Sequence, residues 1–198
     1  MGPDDYREQL SRLQPGDRLL LKFDDYRQGL PLHELSGRSG QPIFFKTLDT
    51  SAPMLRFIAR SGANTVSLIN VQYLVLLYLE LDGRNVQVDA IKAEGHAFAD
   101  VITLERIFIH DQDASQQNVG ISTCAALGWL VKNHRIQRVG TGKCIADPHS
   151  RPNVLEGISH SQVWEARTVT SSTPTCFGKT RAKPCFRARE MSPYITIC

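Results

Sequence analysis

The sequence predicts a mainly β fold: a small antiparallel barrel or sandwich with a short N-terminal helix, a helical segment near 121–134 and a flexible basic C-terminal tail. The clearest observation is the run from Val66 to Leu81, which is rich in β-branched and aromatic residues and continues into Asp82-Gly83. Asp-Gly favours the positive φ angles of a tight turn, so we expect a buried β hairpin here. Two further observations are a series of short apolar runs separated by turn residues, and a basic segment with few large apolar side chains.

The first predicted element is a short helix within residues 1–14. Asp4 and Asp5 are typical of the start of a helix, where they accept hydrogen bonds from free backbone N–H groups. Tyr6 and Leu10 follow at a spacing that places them on one helical face, which predicts an amphipathic helix with one buried side.

Six strands follow within a β domain that covers residues 15–110. Each is short and apolar or alternating, and turn chemistry such as Ser36-Gly37 separates them. Strands at this spacing favour a small antiparallel barrel or sandwich, similar in outline to Sm-like and SH3-like domains. The predicted strands are Arg18–Phe23, Ile43–Leu48, Met54–Ala59, Thr65–Leu81, Asn85–Ile91 and Val101–Ile109.

One alternative to this architecture follows from the same pattern. Val66 to Leu81 could be a buried helix, because periodicity alone does not separate a fully apolar strand from a helical segment. Its content of Val, Ile and Tyr favours the strand. No repeat of about 20 to 50 residues is visible along the chain, so the sequence predicts neither a solenoid nor a propeller.

A helix-containing extension is predicted over residues 111–165. Ser122 or Thr123 could cap a helix that carries Cys124, Leu127 and Val131 on one face. The tail, residues 166–198, is predicted to be disordered by itself, since between positions 167 and 189 it has three large apolar side chains and no acidic residue.

The charge of the chain is divided unevenly between its halves. Residues 1–100 carry 11 basic and 13 acidic side chains, whereas residues 101–198 carry 12 and 7. A basic half joined to a nearly neutral half suggests an anionic partner for the basic half.

The cellular compartment is predicted from the N-terminus and the cysteines. Met1 to Asp5 contain no basic region followed by an apolar region, so no secretory signal is recognised and the cytoplasm is the expected location. Thiols stay reduced in the cytoplasm, so we expect the five cysteines to be free. These cysteines are Cys124, Cys144, Cys176, Cys185 and Cys198.

The predicted function is that of a non-enzymatic binding or regulatory module that contacts an anionic partner, with single-stranded nucleic acid favoured over anionic lipid or an acidic protein. Basic side chains neutralise phosphates, and aromatic side chains interleaved with them can stack on unpaired bases. The candidate phosphate-binding residues are Lys132, Arg135, Arg138, Lys179, Arg181, Lys183, Arg187 and Arg189, and Phe177 and Phe186 are the candidate stacking residues.

Two other functions remain open at this point. Cys124, in the first turn of the predicted helix, could be a thiol nucleophile of a hydrolase or transferase, with His134, His149 or His160 as its base. The other reading of Cys124 is a small buried hydrophobe. The third function is an oligomeric scaffold, in which exposed strand edges pair between copies of the chain.

No cofactor or metal is predicted. Gly140 to Cys144 and Phe177 to Thr180 are similar to the end of a phosphate-binding loop. That loop needs a first glycine five positions before the glycine that precedes its lysine, and Gln137 and Thr173 occupy this position here. The cysteines and histidines of the C-terminal half lack the closely spaced pairs of a zinc site. Asp111 and Asp113 lie where solvated turn residues belong, and the neighbouring His110 has no recognisable partner in the sequence.

Overall fold

The chain winds into a β-solenoid of about four turns built from two parallel sheets. The computed structural model describes residues 1–48, 53–93, 98–113, 119–123, 127–139, 141–145, 154–158 and 196–197. All pairings between the strands of this part of the chain are parallel.

One short helix precedes the strands in the described part of the chain. In chain order the elements are α1 (Tyr6–Leu10), β1 (Arg18–Leu21), β2 (Asp25–Tyr26), β3 (Leu30–His33), β4 (Ile43–Thr47), β5 (Leu55–Ile58), β6 (Val66–Ile69), β7 (Val71–Asp82), β8 (Ile91–Ala93), β9 (Ala99–His110), β10 (Val119–Thr123), β11 (Leu130–Gln137), β12 (Thr141–Ile145), β13 (Val154–Ile158) and β14 (Thr196–Ile197).

The two sheets are built by successive turns of the chain. The first sheet has the order β1-β4-β7-β9-β11-β13, and β5 also pairs with β7 and with β2. The second sheet has the order β3-β6-β8-β10-β12-β14. The first two turns add two strands each to the first sheet, and every later turn adds one strand to each sheet, beside the strand of the previous turn.

The core consists of columns of apolar side chains that lie in register from turn to turn. Tyr26, Phe57, Leu81 and Ile109 form one such column, and all four are buried. Tyr26 and Phe57 stack with ring centroids 4.9 Å apart. Each fully buried side chain of this size contributes about 1.5–3 kcal/mol by leaving water, so these columns hold the turns together.

Bends in the long strands occur at residues with positive φ. Tyr78 (φ 60°) bends β7, and Arg106 (φ 55°) and Asn133 (φ 50°) bend β9 and β11. Asn70 (φ 52°) separates β6 from β7, and its side-chain amide donates to Glu34 Oε1 at 2.7 Å. Asparagine tolerates this left-handed conformation well, which explains why the apolar run around it forms two strands.

The predicted antiparallel barrel or sandwich is wrong, although the fold is mainly β. The chain makes no hairpin at Asp82-Gly83; instead Asp82 pairs in parallel with His110 of the next turn. The actual fold is the solenoid that the sequence analysis excluded. Its repeat is not visible in the sequence because successive turns differ in length. Ile43 pairs with Leu74 and Leu74 with Ile102, steps of 31 and 28 residues.

The helix predicted near 121–134 is also wrong, whereas the strand reading of Val66 to Leu81 is confirmed over its helical alternative. Val66 to Leu81 is extended, and the segment near 121–134 contributes β10 and β11 instead of a helix. Ile121 and Val131 are fully buried and lie in register with Ile91 and Leu104. Their β-branched side chains suit these columns, and the tertiary contacts outweigh local helix signals such as the cap at Ser122.

The predicted N-terminal helix is present as α1, whose Tyr6 and Leu10 are buried. The sheets continue past residue 110 through β11 and β13. Except for β14, the predicted tail over 166–198 lies outside the described residues, so its disorder stays a prediction. No helix in the described ranges is long and apolar enough to cross a membrane.

Candidate functional site

One outer face of the solenoid carries a dense set of charged and aromatic side chains. Along β5 and near the C-terminal ends of β7 and β9 the odd-numbered residues are buried, and because side chains alternate in a strand, the even-numbered ones next to them point outward. We call the outward set and its two corner residues the polar ladder. Its members are Asp25, Arg56, Glu80, Asp82, Phe108, His110, Asp111, Arg135 and Arg138.

The solenoid brings these residues together from five different strands and the corners beside them. Asp25, Arg56, Glu80, Phe108 and Arg135 occupy one register column, each on the next strand of the sheet. Neighbouring strands lie about 4.8 Å apart, so the column runs across the sheet as a regular series of side chains.

Arg56 links three carboxylates of the ladder. Its Nε lies 3.7 Å from Asp25 Oδ1 and 3.9 Å from Glu80 Oε1, and its Nη2 donates to Asp82 Oδ2 at 3.2 Å. The guanidinium group is a rigid, planar fork of donors, so one arginine can hold carboxylates of two strands at once. Arg56 therefore orients Glu80 and Asp82, which are two residues apart on β7.

His110 lies between two carboxylates. Its Nε2 is 3.1 Å from Glu80 Oε1, and its Nδ1 is 2.7 Å from Asp111 Oδ2. The ring also stacks on Phe108 with centroids 4.5 Å apart, and the side chain is 11% exposed. Both nitrogens can donate to these oxygens only in the imidazolium form, so the site provides a place for one proton between two acids.

Asp111 is held as an anion by Arg138. The Arg138 Nη2 donates to Asp111 Oδ2 at 2.8 Å, and its Nε donates to the other oxygen, which makes a bidentate pair. These hydrogen bonds hold the pKa of Asp111 well below its usual range and raise the pKa of Arg138. A carboxyl group in this state is a weak base, so Asp111 is suited to positioning His110.

Asp82 is surrounded by donors. Besides Arg56, the backbone N–H of Arg84 donates to its Oδ1 at 3.1 Å, and Arg84 Nε lies 3.7 Å from its Oδ2. Asp82, His110 and Asp111 together present ligand atoms within 4.8 Å of one another, a set that could hold a metal ion. Arg56 and Arg138 already neutralise the two carboxylates, however, so a cation would compete with them.

Few of the residues predicted from sequence to bind nucleic acid lie in the described part of the chain. Lys132 forms an ion pair with Glu105 at 3.2 Å. Arg135 lies 5.1 Å above the ring of Phe108 and donates to Gln137 Oε1 at 2.8 Å. Seven predicted residues fall outside the described ranges: Lys179, Arg181, Lys183, Arg187, Arg189, Phe177 and Phe186.

The helix on which the predicted thiol site depends is not found in the described residues. Cys124 falls outside the described residues, and residues 119–123 and 130–137 on either side of it form strands β10 and β11 where the helix was predicted. His134, one of its predicted bases, is 2% exposed on the inner side of β11. A catalytic base needs to reach a substrate, so the burial of His134 argues against that role.

No protein-family model matches the chain, and no curated protein sequence matches it. Two solved structures similar to it are both of GH136 lacto-N-biosidase from Eubacterium ramulus. The selenomethionine derivative has a TM-score of 0.49 at 13% identity, over 68% of this chain and 38% of the other. The native protein has a TM-score of 0.48 at 16% identity, over 73% and 31%. The chain spans less than two fifths of their length, and the likeness concerns the fold.

The predicted nucleic-acid-binding module is wrong. Lys132 and Arg138 are paired with carboxylates and Arg135 covers an aromatic ring, so in the described residues they form no open cationic surface. The function is therefore better sought in the polar ladder than in the basic residues.

Sequence reasoning missed the central residues of the ladder, Arg56, Glu80, Asp82 and His110. One signal was present: two apolar runs end in polar residues 28 positions apart, Asp82 and His110. The spacing of 28 positions indicates a common site only when the two runs are known to be neighbouring parallel strands.

Proposed function

We propose that the polar ladder binds an extended, uncharged glycan and hydrolyses one of its glycosidic bonds. The observation that carries this proposal is the pair Glu80 and Asp82, two carboxyl groups on the outward side of β7 that share the Arg56 guanidinium. Glycoside hydrolysis requires two such groups, one to protonate the leaving oxygen and one to activate water or attack the sugar.

The charge of the ladder supports a neutral ligand. It has four carboxylates and three guanidinium groups, so a polyanion is not attracted to it as it would be to a cationic surface. Sugar hydroxyls both donate and accept hydrogen bonds, and the ladder supplies acceptors and donors side by side. Its regular spacing across the sheet suits a polymer with a repeating unit.

The surroundings of the two carboxyl groups suggest different roles. Asp82 accepts hydrogen bonds from the Arg56 guanidinium and the Arg84 backbone N–H, which fix the position of its carboxylate. Glu80 is more exposed and lies against His110, which can return a proton to it. Glu80 then donates a proton to the glycosidic oxygen as the bond from that oxygen to the anomeric carbon breaks. Asp82 takes a proton from the water whose oxygen forms the new bond to that carbon.

The test is cleavage of three uncharged oligosaccharides, cellohexaose, xylohexaose and lacto-N-tetraose, with hexagalacturonate as a charged comparison. Glu80→Gln and Asp82→Asn should each lower kcat by about 10²–10⁴-fold, the usual contribution of a general acid or base. Glu105→Gln is the matched control, because Glu105 is another outward, ion-paired carboxylate with nearly the same exposure as Glu80. Its kcat should stay within about twofold of the unchanged protein.

Equal activity of Glu80→Gln, Asp82→Asn and Glu105→Gln would contradict the proposal, and so would cleavage of the charged oligosaccharide alone. Circular dichroism melting of each variant shows whether a loss of activity reflects unfolding instead. The cytoplasmic location expected from the sequence, and pairing of copies through strand edges, stay predictions that fractionation and light scattering can test.

A further inference from the structure

A polar recess, separate from the ladder, lies next to the residues that follow β5 and β7. It is a cleft of about 350 Å³ between the connection from β5 to β6 and the connection from β7 to β8. Ala63 and Asn64 line one wall, and Gln87, Asp89 and Lys92 line the other. The volume is at the lower end of the usual range for ligand sites and suits one or two sugar rings.

Hydrogen bonds fix the distance between the two walls of the cleft. The Asp89 N–H donates to Asn64 Oδ1 at 3.3 Å, and the Thr65 N–H donates to the Asp89 carbonyl at 3.1 Å. The Val66 N–H continues this pairing by donating to the Ala90 carbonyl at 2.8 Å. The recess is therefore preformed, and a ligand would not have to order it, which lowers the cost of binding.

The chemistry of the cleft resembles that of the ladder. Lys92 Nζ lies 3.3 Å from Asp89 Oδ2, which makes the two charges cancel, and the Asp89 side chain is 12% exposed. Gln87 adds an exposed side-chain amide, which is both a donor and an acceptor. Such a lining suits a neutral, polyhydroxylated ring better than an ion.

The cleft lies close to Asp82 of the ladder. The Ala59 N–H donates to the Asp82 carbonyl at 2.8 Å, so both walls begin beside Asp82. Gln87 follows Asp82 by five residues, which span at most about 17 Å when extended. A turn closed by the Val86 N–H and the Gly83 carbonyl, 2.8 Å apart, shortens this path. An oligosaccharide on the ladder can thus reach the cleft within a few sugar units.

We propose that this cleft is a subsite for the same glycan, which binds one uncharged pyranose unit a few sugars away from the cleaved bond. The inference rests on the proposed function for the identity of its ligand, and it adds a site that sets the length and direction of the bound chain. It makes a separate prediction about binding, because the cleft contains none of the residues assigned to bond cleavage.

The test fills the cleft without removing a hydrogen bond. Ala63→Phe places a ring in the recess, and Ser61→Phe is the matched control, because Ser61 is an exposed residue two positions earlier that does not line the cleft. Dissociation constants are measured by saturation-transfer NMR with cellohexaose, xylohexaose and lacto-N-tetraose. For the oligosaccharide that binds the unchanged protein most tightly, Ala63→Phe should raise Kd about tenfold and Ser61→Phe less than twofold.

Equal Kd values for Ala63→Phe and Ser61→Phe, or no binding of all three oligosaccharides to the unchanged protein, would overturn the subsite. If Ala63→Phe does not fold, Gln87→Ala decides, with an expected rise in Kd of about threefold from the loss of one hydrogen-bonding group. Failure of the proposed function gives a different result: Ala63→Phe still weakens binding, while Glu80→Gln and Glu105→Gln cleave equally or not at all.

Discussion

Glu80 Oε1 lies 3.1 Å from Nε2 of His110, although the two residues are 30 positions apart in the chain. They meet because β7 and β9 are neighbouring parallel strands in which Glu80 pairs with Phe108 and Asp82 with His110. Arg56 approaches Glu80 from the other side, on β5. The site is thus assembled from three successive turns, and its stability depends on their register.

Replacement of His110 by alanine should destabilise the fold. Glu80 and Asp111 would then lose their common partner in a largely buried position, and we expect the free energy of unfolding to fall by about 1–2 kcal/mol. Urea denaturation followed by circular dichroism measures the change. His33→Ala is the control, because His33 is exposed and contacts Ser67 at 3.1 Å, and it should cost less than about 0.5 kcal/mol. An equal loss in the two variants would show that His110 has no linking role.

Arg138→Gln should weaken the fold at neutral pH more than in acid. Hydrogen bonds from Arg138 hold the pKa of Asp111 well below its ordinary value of 3.8, so the folded state is favoured whenever that carboxyl is ionised. The stabilisation is complete above the ordinary pKa and is lost as the pH falls toward the lowered one. Arg138 is about half exposed, so we expect at most about 1 kcal/mol near pH 6.

The measurement for Arg138 is urea denaturation of both proteins near pH 6 and near pH 3. The difference between them should shrink as the pH falls. Arg27→Gln is a suitable control, because Arg27 lies 3.6 Å from Asp25 in a more exposed pair. A difference for Arg138→Gln that grows in acid would contradict the assignment.

Gly83→Ala should be strongly destabilising. An added Cβ at Gly83 would lie 2.5 Å from the Asp111 carbonyl oxygen and 2.5 Å from Gln112 Nε2, so the corners of two turns would have to separate. We expect a loss of about 2–4 kcal/mol, seen as a lower midpoint of thermal unfolding. Gly40→Ala is the control: the space around it is open, and its φ of +76° should cost about 1 kcal/mol. Similar losses at both positions would mean that the corner at Gly83 is loosely packed.

Phe57→Ala should destabilise the fold, because it truncates a side chain in the core column that runs from Tyr26 to Ile109. Phe57 is fully buried, stacks on Tyr26 and contacts Tyr6 edge to face, so its truncation leaves a cavity that costs about 3–5 kcal/mol. Phe23→Ala is the matched control, since Phe23 is 54% exposed and should change stability by less than about 0.5 kcal/mol. Chemical denaturation distinguishes the two, and a small loss for Phe57→Ala would contradict the stacking of this column.

The positions of several strands could be predicted from the sequence. Ile43 to Thr47 and Leu55 to Ile58 alternate or are continuously apolar, and the predicted segments include both strands. Their partners could not be predicted in the same way, because a strand pairs in parallel with a segment about 28 residues away, across connections of changing length. Asp82-Gly83 was misread for this reason, since its local turn signal is the same at a solenoid corner as in a hairpin.

The amino-acid sequence by itself determined several extended segments, such as Ile43 to Thr47 and Leu55 to Ile58, because alternation and β-branched content act within a few residues. Only the tertiary structure decided that the strands stack in parallel and that Arg56, Glu80, Asp82 and His110 share one face. The physical reason is that lateral pairing depends on backbone hydrogen bonds, which are alike at every residue. Register is therefore chosen by the packing of whole columns, from Tyr26 to Ile109, and the site follows from that choice.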